Sequence, residues 1–98
     1  MAYAAAKAGL TAMGQSLAVA LAPHGVAVAS VLPGFIETDM AASVLDGPRG
    51  DEVRSQSPAG RVGRPEEVAA AVLFLASPAA GWSTGAVVDV NGASYLRT

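Results

Sequence analysis

The sequence predicts an α/β chain that forms part of an open, doubly wound parallel sheet. Three observations lead there. Two short runs, residues 26–32 and 86–90, are β-rich and almost wholly apolar, as strands covered on both faces are. A helical pattern lies between them, so the strands should run parallel and be joined by a right-handed crossover. A longer helical pattern precedes the first run, without an earlier strand to deliver it. Two apolar parallel strands cannot cover their own faces or satisfy their edges, so the sheet is expected to be incomplete.

The elements follow in order. Residues 1–25 read as one Ala-rich helix in which Leu10, Met13, Leu17 and Leu21, spaced by three and four, mark a buried stripe. Ala5, Ala6, Ala18 and Ala20 leave its other faces thin enough for a close neighbouring helix, and Pro23 and Gly25 stop it. Pro33-Gly34 breaks the first strand. The loop that follows leads into a short helix capped by Thr38 or Asp39. Residues 46–60 are rich in Gly, Pro, Ser and charge without a period, which predicts a mobile surface segment with one helical turn near residues 51–55.

Pro65 suits the first position of a second helix, where Glu66 and Glu67 complement the positive end of the dipole. Its expected stripe is Val68, Val72 and Leu75, widened by Leu73 and Phe74, and Ser77-Pro78 closes it. Trp82 falls in the turn before the last strand and is expected to pack. Gly85 precedes that strand, and Asn91-Gly92 ends it as a turn.

Length and composition bound the function. Ninety-eight residues fit one domain, residues 1–98. A hydrophobic share of 52% is high for so small a body and implies surfaces made to be covered. A net charge of −2 without a basic run excludes nucleic-acid binding by a charged patch. Without cysteine there is no disulfide, thiol nucleophile or thiolate metal site, a composition that suits the cytosol. The lone His24 reads as a helix-end residue, so no metal site is expected. Residues 1–22 faintly imitate a signal peptide, but Thr11, Gly14, Gln15 and Ser16 interrupt the apolar region. No run approaches the ~18 apolar residues of a membrane span, so no membrane partner is expected.

Tyr3 and Lys7 stand one helical turn apart on one face. An ammonium beside a phenol favours the phenolate, which a proton-transferring tyrosine needs. On spacing alone, the same pair is an ordinary surface contact.

Taken in order, these residues resemble the short-chain dehydrogenase/reductase family. Tyr-Ala-Ala-Ala-Lys at residues 3–7 matches its Tyr-x-x-x-Lys signature. Pro33-Gly34 with Thr38, Gly-Arg-Val-Gly-Arg-Pro-Glu-Glu-Val at residues 60–68, Phe-Leu-Ala-Ser at residues 74–77, Thr84-Gly85 and Val90-Asn91-Gly92 follow. The resemblance covers essentially the whole chain and is nearest to the 3-oxoacyl-[acyl-carrier-protein] reductase type.

The resemblance implies the C-terminal part of a Rossmann-like domain and an oxidoreductase using NAD or NADP on a small carbonyl or alcohol substrate. Tyr3 would be the acid/base and Lys7 its activator, also holding the nicotinamide ribose. Pro33, Gly34, Ile36 and Thr38 would line the nicotinamide end of the cofactor site. Residues 40–60 would be the substrate lid, and the first helix would pair subunits of a cytoplasmic homo-oligomer. The family's Gly-rich turn, the residue choosing NAD or NADP, and its Ser and Asn are not in this sequence; Ala93, where many relatives have glycine, reads as a minor change. The chain alone is therefore expected to be inactive. The rival expectations are a non-catalytic interaction module pairing with a full-length relative, and a truncated reading frame with no role of its own.

Overall fold

The computed structural model describes residues 2–96, the Met40 side chain excepted. The order is α1 (Ala2–Leu21), a 3₁₀ turn (Ala22–His24), β1 (Ser30–Pro33), α2 (Asp39–Leu45), α3 (Gly50–Ser55), α4 (Pro65–Leu75), a second 3₁₀ segment (Pro78–Ser83) and β2 (Val87–Val90). β1 and β2 form one two-stranded sheet. Gly85 N–H donates to Val28 O at 2.7 Å, Ser30 N–H to Ala86 O at 2.9 Å and Gly34 N–H to Val90 O at 2.9 Å; both chains ascend together, so the pair is parallel. The chain divides into two compact units, Met1–Val31 with Val72–Val88, and Leu32–Ala71 with Asp89–Thr98.

In the first unit, α1 ends where Pro23 enters the 3₁₀ turn and Gly25, at φ 75°, donates its N–H to Ala22 O. Its inward face differs from the expected one. Leu10, Met13 and Leu17 are 63%, 55% and 43% exposed. The covered positions are Lys7, Thr11, Gly14, Ala18 and Leu21, spaced 4-3-4-3, with only Ala18 fully buried. Small residues set this choice because they allow the closest approach. A Cβ on Gly14 would come within 3.0 Å of Ser30 Oγ, and one on Gly85 within 3.7 Å of the Ala18 Cβ.

The first strand also starts later than the apolar run. Val28 is bound on both backbone sides, its N–H donating to Thr84 Oγ1 at 3.0 Å, yet regular strand begins only at Ser30. Pro33 is its last residue rather than a breaker beyond it, exposed at the strand end. Neither strand is fully buried among the described residues, against the expectation of a covered central strand. Trp82 does not pack: it is 101% exposed within the second 3₁₀ segment.

The second unit holds the clearest cluster. Ala41 and Leu45 of α2 meet Val53 of α3, with Val62 packed against them. The short helix expected after Thr38 and the helical turn expected near residues 51–55 are α2 and α3, and residues 46–60, expected to be patternless, contribute Val53 to a small apolar centre. Arg54 ties them by donating from Nη2 to Leu45 O at 2.9 Å. Gly50 is required there, because an added Cβ would run into the Leu45 carbonyl. α4 begins at Pro65 as expected, but its covered apolar positions are Val68, Ala71 and Leu75, while Val72, Leu73 and Phe74 are exposed.

Candidate functional site

The sequence-predicted residues fall into two groups, one in each unit. In the first, Tyr3 and Lys7 occupy the opening turns of α1, in an Ala-rich stretch that strongly favours helix. Lys7 Nζ lies over the Tyr3 ring, 5.6 Å from its centroid, a cation–π contact. The two residues differ in setting. Lys7 begins the inward stripe and is half-buried, whereas Tyr3 is 77% exposed with its phenol open to solvent. Thr11 reinforces that turn by donating from Oγ1 to Lys7 O at 3.1 Å.

In the second unit, Pro33, Gly34, Ile36 and Thr38 follow one another along the loop leaving β1. Gly34 is there because two backbones nearly touch. A Cβ at this position would stand 2.7 Å from the Asn91 Cβ and 2.9 Å from its Cα. Ile36 forms a parallel bridge with Gly63. That bridge is made by Phe35 O accepting from Gly63 N–H at 3.0 Å and Glu37 N–H donating to Gly63 O at 2.8 Å. In a parallel pairing the bridging residue's own N–H and C=O turn the opposite way, so Ile36 presents one donor and one acceptor away from Gly63. Thr38 is the N-cap of α2, its Oγ1 accepting from Ala41 N–H at 3.2 Å. The hydroxyl proton is left to donate elsewhere.

Beside this loop, Glu37, Thr38, Asp39, Arg64 and Glu66 border an open groove of about 630 Å³. That volume is in the range of small-molecule sites, unlike the cavity of about 140 Å³ reaching from Phe35 to Ser94. Three carboxylates against one guanidinium make the groove unfavourable for phosphate. The loop offers one uncharged donor and one uncharged acceptor at Ile36, and the groove beside it does not supply a phosphate site. Among the described residues, no group of three or more His, Asp or Glu could hold a metal ion, and no helix is long and apolar enough to cross a membrane.

Residues 60–68 have a part that their sequence did not disclose. Arg61 grips Glu67 with both guanidinium nitrogens, Nη1 to Oε1 at 2.7 Å and Nη2 to Oε2 at 2.8 Å. Glu67 Oε1 also accepts from Arg64 N–H at 3.0 Å, closing the start of α4 from its third position. The hydrogen bonds from Arg61 and then from the Arg64 backbone lower the Glu67 carboxyl to about 2, and the Glu67 carboxylate in turn holds Arg61 above its usual value. The Arg-Pro-Glu-Glu order was the available signal, as a glutamate three positions past the cap marks a capping box. Ser57 was also missed: its Oγ donates to Gly92 O at 2.8 Å and ties the end of residues 40–60 to the turn after β2.

A family model described as enoyl-(acyl carrier protein) reductase matches residues 1–93. The 3-oxoacyl-[acyl-carrier-protein] reductase FabG of Vibrio harveyi is 50% identical over 94 residues, covering 96% of this chain and 38% of that protein. The FabG of Escherichia coli K12 is 49% identical over 94 residues with the same coverage. The FabG of Aquifex aeolicus is 50% identical over 93 residues, 95% of this chain and 37% of that protein. The crystal structure of a short-chain dehydrogenase/reductase, named for glucose/ribitol dehydrogenase, from Brucella melitensis superposes with a TM-score of 0.85 at 41% identity, covering 97% of this chain and 38% of that one. The chain therefore spans about two fifths of the length of the relatives it matches, and the FabG relatives and the Brucella melitensis structure are named for different substrates.

Proposed function

The chain belongs to the short-chain dehydrogenase/reductase family, and from that premise we propose that it carries the acid/base half of an NAD(P)-dependent oxidoreductase site, within one partial Rossmann-like domain. Tyr3 donates its phenolic proton to the carbonyl oxygen of the substrate, and in the reverse direction takes the proton of an alcohol. Lys7 supports the phenolate by its charge and can reach ribose hydroxyls. Ile36 offers its backbone N–H and C=O to the nicotinamide carboxamide, and the Thr38 hydroxyl donates at the same end. NADH or NADPH, when bound, supplies the hydride. A 3-oxoacyl thioester is the substrate class the FabG relatives favour.

The observation that carries this reading is the Ile36–Gly63 bridge. It spends Phe35 O and Glu37 N–H on Gly63 and leaves the Ile36 N–H and C=O turned away from Gly63, one donor and one acceptor as a primary amide requires. Pro33 and Gly34 bring the loop to that point from the C-terminal end of a parallel strand, where open α/β sheets place ligands.

The Gly-rich turn that holds a pyrophosphate at a helix start is not in these 98 residues. The chain alone is therefore expected neither to bind cofactor tightly nor to turn over. Fluorescence titration with NADPH tests this, and saturable micromolar binding by the isolated chain would refute it.

A second reading has its own support in the exposed Leu10, Met13, Leu17 and Val19 of α1. It makes the chain a non-catalytic module that pairs with itself or with a full-length relative. Size-exclusion chromatography separates the two, since a stable homodimer with no nucleotide affinity favours the module.

A further inference from the structure

The turn that ends β2 combines a reactive dipeptide with a geometry that prepares it. Asn91 is the sole asparagine of the sequence, and glycine follows it. Asn91 Oδ1 accepts from Ala93 N–H at 3.0 Å. That bond closes an Asx turn across Gly92, which keeps the side-chain carbonyl group on the side of the Gly92 peptide. It also draws electron density from the carbon of that group, as an oxyanion-hole donor does. Gly92 has no Cβ to screen its nitrogen and is exposed, and among the described residues its N–H has no hydrogen-bond acceptor. Nucleophile, electrophile and a polarising donor are therefore held together at the surface.

We propose that Asn91-Gly92 is a site of spontaneous deamidation in the folded chain. The Gly92 nitrogen attacks Asn91 Cγ and forms an N–Cγ bond. The Cγ–Nδ2 bond breaks, and Nδ2 leaves as ammonia with the proton lost from Gly92. The five-membered imide that results takes up one water. Opening at Cγ yields aspartate, and opening at the main-chain carbonyl yields isoaspartate, in which the chain runs through the side chain. The sum is amide plus water to acid plus ammonia, with no change of oxidation state.

The product alters what the turn holds. The Nδ2 group that donates to Tyr95 O at 3.0 Å becomes an oxygen facing that carbonyl, so the bond is lost. One carboxylate is added to a formal net charge of −2, giving −3. Isoaspartate also inserts a methylene into the backbone beside Gly34, whose place against Asn91 has no slack, and next to Gly92 O, which Ser57 holds. The modification thus acts on the loop that leaves β1 as well as on its own turn.

The experiment is to incubate the folded chain in mildly alkaline and mildly acidic buffer and follow intact mass, peptide mapping and labelling by an isoaspartate methyltransferase. The expected result is a mass gain equal to the exchange of NH₂ for OH, faster in alkali, confined to the peptide containing Asn91 and accompanied by isoaspartate. Asp46-Gly47 can isomerise without a mass change, so mass reads Asn91 separately. An Asn91→Gln chain should show no gain, because glutamine must close a larger ring. If that variant does not fold, the peptide map of the unaltered chain decides alone. Conversion in urea-unfolded chain with none in folded chain overturns the proposal, as does an equal gain in a folded Asn91→Gln variant.

Discussion

Gly34→Ala asks whether glycine ends β1 for conformational freedom or for lack of room. The Gly34 φ lies outside the left-handed region, so alanine is not penalised by its backbone angles. The obstacle is Asn91. A Cβ 2.7 Å from the Asn91 Cβ falls about 1 Å short of the ~3.5–4.0 Å at which carbons rest. Both neighbours are backbone or its first side-chain atom, so no rotamer change relieves the overlap and the two chain segments must part. Overpacking of this kind costs about 1–3 kcal/mol. Parting also strains the Gly34 N–H to Val90 O bond of 2.9 Å, a bond worth about 1 kcal/mol. Against this, alanine restricts the unfolded chain and returns about 0.4–1 kcal/mol. The net expectation is a loss of about 1–3 kcal/mol, read as a lower urea midpoint at unchanged slope. Gly9→Ala is the control, since nothing lies within 4 Å of its Cβ, and in mid-helix it should gain about 0.5–1 kcal/mol. If Gly34→Ala behaves like Gly9→Ala, the close approach to Asn91 is not what selects glycine and the argument fails.

Other outcomes follow from single features. Ala93 is held at φ 66°, where a non-glycine residue is strained by about 1 kcal/mol, so it is a costlier departure than a turn position implies. Ala93→Gly should raise the melting temperature by a few degrees, and an unchanged or lower value contradicts that strain. The Glu67 carboxyl is lowered from 4.5 to about 2, so it binds its proton less readily folded than unfolded. Its contribution is present above the unfolded value and is lost as pH falls through that window; thermal melts should decline more steeply there than those of Glu67→Gln, and parallel curves would count against the Arg61 grip. In a fusion placing the preceding part of the Vibrio harveyi reductase ahead of Met1, Tyr3→Phe should cut NADPH-dependent reduction by about 10²–10⁴-fold while cofactor affinity changes little. Retained turnover would remove Tyr3 from the role of acid.

Some of this was legible in the chain because it depends on local chemistry. Pro65 opens a helix because its missing N–H has no partner to lose there, and Thr38 caps α2 because its oxygen reaches the N–H three residues on. Tyr3 and Lys7 share a face because both lie in an Ala-rich helix, and residues 87–90 pair because β-branched apolar residues suit a sheet.

Tertiary structure decided what depends on distant neighbours. In α1 almost every face is apolar, so period alone cannot choose between the Leu10 stripe and the Lys7–Thr11–Gly14–Ala18–Leu21 stripe. The choice falls to the face that lets Gly14 approach Ser30 and Ala18 approach Gly85, and it turns the large side chains outward. Gly34 reads as a strand breaker until Asn91, far along the chain, is seen to fill the space where its Cβ would lie. The orientation of the Ile36 backbone likewise exists only once Gly63 has paired with its neighbours. A sequence specifies propensities residue by residue, but which atoms meet across the fold is set by packing, which acts between segments.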